Sequence, residues 1–180
     1  MKALTWGTSS RIAYAFSTDG EKIYTITNWP GGEDIIAPKV PTVIKYDAGS
    51  STSFQWGYEI SSLEDKITGL KLLLDPEQPR PYFIPTNVEA EMAKLPKPVL
   101  EVASDYMRSV FHHALKEIES ESLDPSFLES FQKQFVLTVP AVWSDKAKDM
   151  TLRVSIRLDL WKPMLIHARL LEMLASALFR

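Results

Sequence analysis

The sequence predicts an α/β protein with a mixed sheet flanked by helices, and three stretches carry that expectation. Near the N-terminus, segments rich in strand-forming residues follow one another across tight turns. Pro98 to Ser120 holds apolar residues at helical spacing, with Val99, Val102, Tyr106, Val110, Leu115 and Ile118 near one stripe. Gln134 to Thr151 joins an apolar run, a proline and a helix-capping serine, which reads as half of a βαβ-type unit.

The elements follow in order. Ala3 to Trp6 is a first short strand, and Gly7-Thr8-Ser9-Ser10 is a turn of small hydroxylated residues. Ile12 to Ser17 and Lys22 to Trp29 alternate as strands do, and Thr18-Asp19-Gly20-Glu21 between them suits a hairpin because Asp-Gly tolerates positive φ. Pro30 to Asp34 is a loop. Val40 to Tyr46 predicts a strand with Pro41 near its edge, and Ser53 to Tyr58 follows after the turn Asp47 to Ser50. Glu64 to Leu74 predicts a short helix carrying Lys71. Proline punctuates 75–97, apart from a helical turn near Val88 to Leu95. Pro98 opens the long helix at a tolerated first-turn position. Phe127 to Gln132 is a further short helix. Phe135 to Val139 lacks alternation, as expected of a strand buried on both faces, and ends at Pro140, which cannot donate to a ladder. Ser144 or Asp145 then caps a helix starting at Lys146. Val154 to Trp161 fits strand or helix, and Pro163 to Phe179 predicts an apolar helix, too short for a membrane span and so buried or covered by a partner.

Composition narrows the function classes. The chain has 180 residues, 45% hydrophobic and 24% charged, which are globular values and sufficient for one real core. A formal charge of -3 supplies no basic field for nucleic acid. The absence of cysteine excludes thiol catalysis, disulfides and thiolate metal sites, and agrees with a cytoplasmic or nuclear setting. MKALTWGTSS lacks the continuous apolar core of a signal peptide.

Few residues suggest chemistry. His112 and His113 are neighbours on a helix, so they point about 100° apart and suit a solvated or core-edge pair rather than a shared metal. Asp145 and Asp149 are spaced i, i+4, but acids at a helix N-terminus are expected from its dipole. No metal-ligand set is expected. Trp29, Trp56 and Trp143 read as core anchors. The turn Gly7-Thr8-Ser9 offers backbone N–H and hydroxyl donors suited to phosphate oxygens. Lys71 adds a point charge, with an exposed helical lysine as its ordinary reading.

Taken in order, LTWGTSSRIAYAFS, NWPGG, KVPTVIKYD, WGYEI, GLKLLLDP and FVLTVPAVWSDKAKDMT resemble the heat-shock protein 70 family, especially its divergent fungal actin-like ATPase members. The resemblance covers Ala3 to Arg153 and implies one lobe of two in an actin-like ATPase domain, with a ribonuclease-H-like sheet. It implies ATP or ADP with Mg²⁺ as cofactor, Gly7, Thr8 and Ser9 as the phosphate-binding turn, and Lys71 as the catalytic residue that positions the attacking water. Pro140 to Trp143 falls where the family lines its cleft.

Two departures shape the functional expectation. Thr5 stands where the family has an acid that supports water around the magnesium. The family's second phosphate loop and adenosine pocket are not found. Residues 1–153 are therefore expected to form an incomplete first lobe, with 154–180 a divergent helical tail of a truncated product. The implied function is an ATP-binding, chaperone-related domain with weak or no hydrolysis alone. The alternative is a degenerate, non-catalytic interaction module or a non-functional product. Partners would be nucleotide, or protein met through the exposed lobe face and the 163–179 helix, with self-association through Leu165, Leu170, Leu171 and Leu178.

Overall fold

A computed structural model describes residues 2–17, 19–75, 87–120, 135–140, 143–156 and 168–173. Strand β1 (Lys2–Trp6) pairs antiparallel with β2 (Ser9–Tyr14), and β2 pairs with β3 (Tyr24–Thr25) and, at its other end, with β4 (Val40–Pro41). On its other side β1 runs parallel to β7 (Phe135–Pro140), placing Thr5 opposite Thr138. The strand β8 (Ala168–Met173) lies parallel to β7, giving the order β3-β2-β1-β7-β8. A two-stranded sheet of β5 (Ile44–Tyr46) and β6 (Phe54–Trp56) stands apart and passes into a 3-10 turn, Gly57–Glu59. The helices are α1 (Leu70–Leu73), α2 (Val88–Ala93), α3 (Val99–Ser120) and α4 (Asp145–Ile156).

The mixed α/β architecture agrees with the sequence. In β7, Val136 and Leu137 point to opposite faces of the sheet and both are buried, as their unbroken apolar run predicts. The long helix α3 buries Val102, Tyr106, Val110 and Ile118 from the expected stripe, with Leu115 half-buried. Each such side chain contributes roughly 1.5–3 kcal/mol on full burial. The three tryptophans also behave as anchors. Trp29 meets Trp56 edge-on, Trp56 meets Tyr106 likewise, and the Trp29 indole N–H donates to the Ala37 carbonyl at 2.8 Å.

Four expectations are corrected. Residues 168–173, read as part of a 163–179 helix, form β8. Parallel pairing along β7 gives that strand a partner on its outer edge, and this tertiary demand overrides the helix propensity of Ala, Leu and Met. The boundary expected at 153/154 falls inside α4, and Val154 belongs to the main core. The strand expected over 40–46 is split between two sheets: Val40 and Pro41 pair with β2, while Ile44 to Tyr46 pair with β6. The helix expected from Glu64 shrinks to α1, because Ile67 exchanges backbone hydrogen bonds with Ile44 instead. The short helix expected at 127–132 lies outside the described residues, as do Leu165 and Leu178.

Polar groups fix the base of the first turn. Ser10 and Thr42 share a 2.9 Å hydroxyl bond, and the Tyr106 hydroxyl donates to Ser10 at 2.9 Å and to the Pro41 carbonyl at 3.1 Å. All three side chains are buried. Gly31 is fixed differently: it has φ 75°, and a Cβ there would lie 2.5 Å from the Glu59 backbone nitrogen. Gly31→Ala is expected to destabilise the protein by roughly 3 kcal/mol, and Tyr106→Phe by about 1–2 kcal/mol, both read from urea denaturation midpoints.

Candidate functional site

The parallel register of β1 and β7 sets the geometry of the site. Both strands end at the same edge of the sheet, so the turn after β1 and the turn after β7 lie at the carboxyl ends of neighbouring parallel strands. In open α/β sheets that edge is where ligands bind. Gly7, Thr8 and Ser9 form the first of these turns, and Trp143 and Ser144 end the second.

The first turn is compact and anchored. The Gly7 N–H donates to the Ser9 carbonyl at 3.2 Å, and the Thr8 carbonyl accepts from the Thr42 N–H at 3.1 Å. The Thr8 side chain is exposed. The Gly7 amide, expected as a phosphate donor, is thus engaged within the turn itself. Around Gly7 there is room: an added Cβ would meet its nearest neighbour, the Ser9 carbonyl oxygen, only at 3.9 Å.

Lys71 enters from α1. It is 8% exposed, against the ordinary reading of a solvated helical lysine. Its ammonium lies 4.6 Å from the centroid of the Trp143 ring, so the two are brought together by contact. Burial pulls the Lys71 pKa down to about 8, which leaves it cationic at pH 7. Trp143 clusters with Val139 and Ala147, so the ring that meets the ammonium is itself held by β7 and α4.

One group, Asp75, escaped the sequence reading. Asp75 is buried beside the same turn; it accepts the Ser144 hydroxyl and lies 3.9 Å from the Lys146 ammonium. Ser144 in turn accepts the Ala147 N–H at 3.1 Å, confirming it as the cap of α4. The spacing of Lys71 and Asp75, and the adjacency of Trp143 to a helix cap, were the available signals. Neither residue type is unusual in those settings.

Other candidates resolve into structural roles. His113 donates from Nε2 to the Asn28 carbonyl at 2.7 Å and packs against Trp29 and Trp56, whereas His112 is exposed. Asp149 pairs with Arg153 at 2.7 Å. A cleft of about 470 Å³ lined by Lys45, Tyr46, Ser50, Asp65, Lys66 and Lys94 contains none of the expected site residues. Its cations are largely neutralised: Lys94 meets Asp65 at 2.7 Å and Glu91 at 3.0 Å, and Lys45 pairs with Glu64. No helix among the described residues is long and apolar enough to cross a membrane.

The fit to a magnesium nucleotide is partial. The open space at Gly7 and the cation at Lys71 suit phosphate, but Thr5 brings no carboxylate to the metal side, and the Asp75 carboxylate is held by Ser144.

Comparison with known proteins adds lineage to this geometry. No protein-family model matches the chain. It is 33% identical over 165 residues to human heat shock 70 kDa protein 12B, an alignment covering 81% of this chain and 22% of that protein. It is 27% identical to mouse heat shock 70 kDa protein 12A, covering 89% and 25%, and 26% identical to the human 12A protein, covering 87% and 24%. The chain thus spans about a quarter of the length of the curated relatives it matches. These relatives imply an actin-like ATPase fold, with which the mixed sheet agrees.

The buried cation has a measurable consequence. The Lys71 pKa lies at about 8 folded against 10.5 unfolded, a difference worth roughly 3 kcal/mol against the folded state at neutral pH. A methionine in the lysine's place fits less well, at a cost of about 1–1.5 kcal/mol. The unfolded chain binds the extra proton between those two values, so stability rises with pH across that window. Lys71→Met is therefore expected to exceed wild type by roughly 1–2 kcal/mol at pH 7 in urea denaturation. That advantage shrinks as pH rises from about 8 toward 10.5.

Proposed function

The chain is a divergent, heat-shock protein 70-like sequence, and from that premise we propose that it is a nucleotide-binding lobe that takes the phosphates of ATP or ADP. The observation that carries this reading is the placement of Lys71 against Trp143 at the sheet edge shared with the Gly7–Ser9 turn. The turn would receive phosphate through Thr8 and Ser9, and Lys71 would supply the positive charge that orients an attacking water. A bound magnesium ion would neutralise phosphate charge, held chiefly by the phosphates and water in the absence of a carboxylate at Thr5.

Turnover by this chain alone is expected to be weak or nil. Phosphoryl transfer depends on positioning and charge stabilisation from all sides of the transferred group. Thr5 removes one acidic support, and the engaged Gly7 amide removes one donor. These same two observations favour the second reading, a non-catalytic module that acts through protein contacts. A chaperone-related role in the cytoplasm or nucleus accompanies either reading.

Thermal shift with ATP, with and without Mg²⁺, tests the proposal. Stabilisation that needs Mg²⁺ supports nucleotide binding, and no shift at millimolar ATP sinks it in favour of the interaction module. Gly7→Ala is the sharp variant, because a Cβ at Gly7 meets nothing nearer than the Ser9 carbonyl oxygen at 3.9 Å. It is expected to leave Tm within a few degrees of wild type while weakening ATP binding at least about tenfold. Linear ATP turnover lost in Lys71→Ala would promote the lobe to an enzyme.

A further inference from the structure

Asp75 is a buried carboxylate with no part in the reading above. At 6% exposure it is largely cut off from water and depends on protein partners. Those partners belong to another element. One oxygen accepts the Ser144 hydroxyl and the other lies 3.9 Å from the Lys146 ammonium.

Ser144 faces two ways. Its proton goes to Asp75, and its lone pair accepts the Ala147 N–H that opens α4. Its chain neighbour Trp143 carries the ring 4.6 Å from the Lys71 ammonium. Lys71 lies on α1, and Asp75 follows directly after the α1 C-cap, Leu74. Two short segments, 71–75 and 143–146, are therefore joined twice, by a cation on a ring and by a carboxylate on a hydroxyl. A cation held over a ring is directional only while the ring cannot swing. Here the residue next to the ring is pinned by a charge-assisted hydrogen bond.

We propose that the Asp75–Ser144 hydrogen bond is a latch that holds the Trp143 ring against the Lys71 ammonium, which makes Asp75 and Ser144 positioning residues for that lysine. The functional consequence rests on the nucleotide-binding reading, whereas the latch itself can be read without nucleotide.

Fluorine NMR of protein carrying fluorotryptophan tests it, with the Trp143 resonance assigned by its loss in Trp143→Phe. In wild type that resonance is expected to move as pH is raised through about 8, and Lys71→Met should abolish the movement. This assigns the titration to Lys71 rather than to Asp75 or Lys146. Ser144→Ala and Asp75→Ala are expected to lose most of the movement, while Ser144→Thr, which keeps the hydroxyl, retains it. Wild-type movement in both alanine variants overturns the latch, whatever happens to Tm. So does a wild-type resonance insensitive to Lys71→Met. Should Asp75→Ala fail to fold, Asp75→Leu takes its place, because leucine is close in volume, cannot accept the hydroxyl and leaves the Ser144 cap of α4 intact. In a parallel ATP titration the latch variants are expected to bind about tenfold more weakly than wild type. If wild type itself binds no ATP, the nucleotide reading falls while the nucleotide-free fluorine result still judges the latch.

Discussion

The parallel register between β1 and β7 is the constraint on which the candidate site depends. Side chains alternate across a strand, so a slip of one residue would exchange Val136 and Leu137 between two covered faces and break the packing on both. The same register sends both strands out at one edge, with Gly7 and the Trp143 turn side by side in strand order. Nothing in either turn needs to encode that proximity. It is inherited from a register that sets Thr5 opposite Thr138, 133 positions away in the sequence. The helix α3 backs this arrangement, since its Tyr106 reaches the base of the first turn through Ser10 and Pro41.

The two buried charged groups on α3 and α1 are handled in opposite ways. Asp105 accepts the Tyr46 hydroxyl at 2.7 Å and pairs with Lys97 at 2.5 Å and Arg108 at 3.4 Å, so its charge is shared among three partners. Burial, together with the same carboxylate, pushes the Tyr46 phenol well above its usual range. That is how a fold places a charge for structure. Lys71 instead faces an aromatic ring and loses proton affinity through burial.

Local signals made β7, its proline and the Ser144 cap legible, because each depends on a few adjacent residues. The stripe on α3 was legible for the same reason. The helix–strand error at 168–173 has a different origin: Ala, Leu and Met favour helix, and only the open edge of β7 dictates otherwise. The split at 40–46 was equally hidden, since Val40 and Ile44 differ in their partners rather than in their chemistry. At the site, the turn Gly7, Thr8 and Ser9 was legible from its small and hydroxylated residues, while the water-positioning role of Lys71 came from resemblance. Their geometry did not, because burial of Lys71 depends on Trp143, which is 72 positions away.

Glycines at two turns separate what the fold requires from what a ligand would require. Gly31 is dictated by the backbone, with positive φ and the Glu59 backbone in the space of a side chain. Gly7 has neither demand on it, since its nearest obstacle is 3.9 Å from a Cβ. The fold would accept a larger residue there. What a larger residue would remove is open space beside exposed Thr8, at the edge where β1 and β7 both end. Glycine is therefore a demand of the backbone and its neighbours at Gly31, and of neither at Gly7.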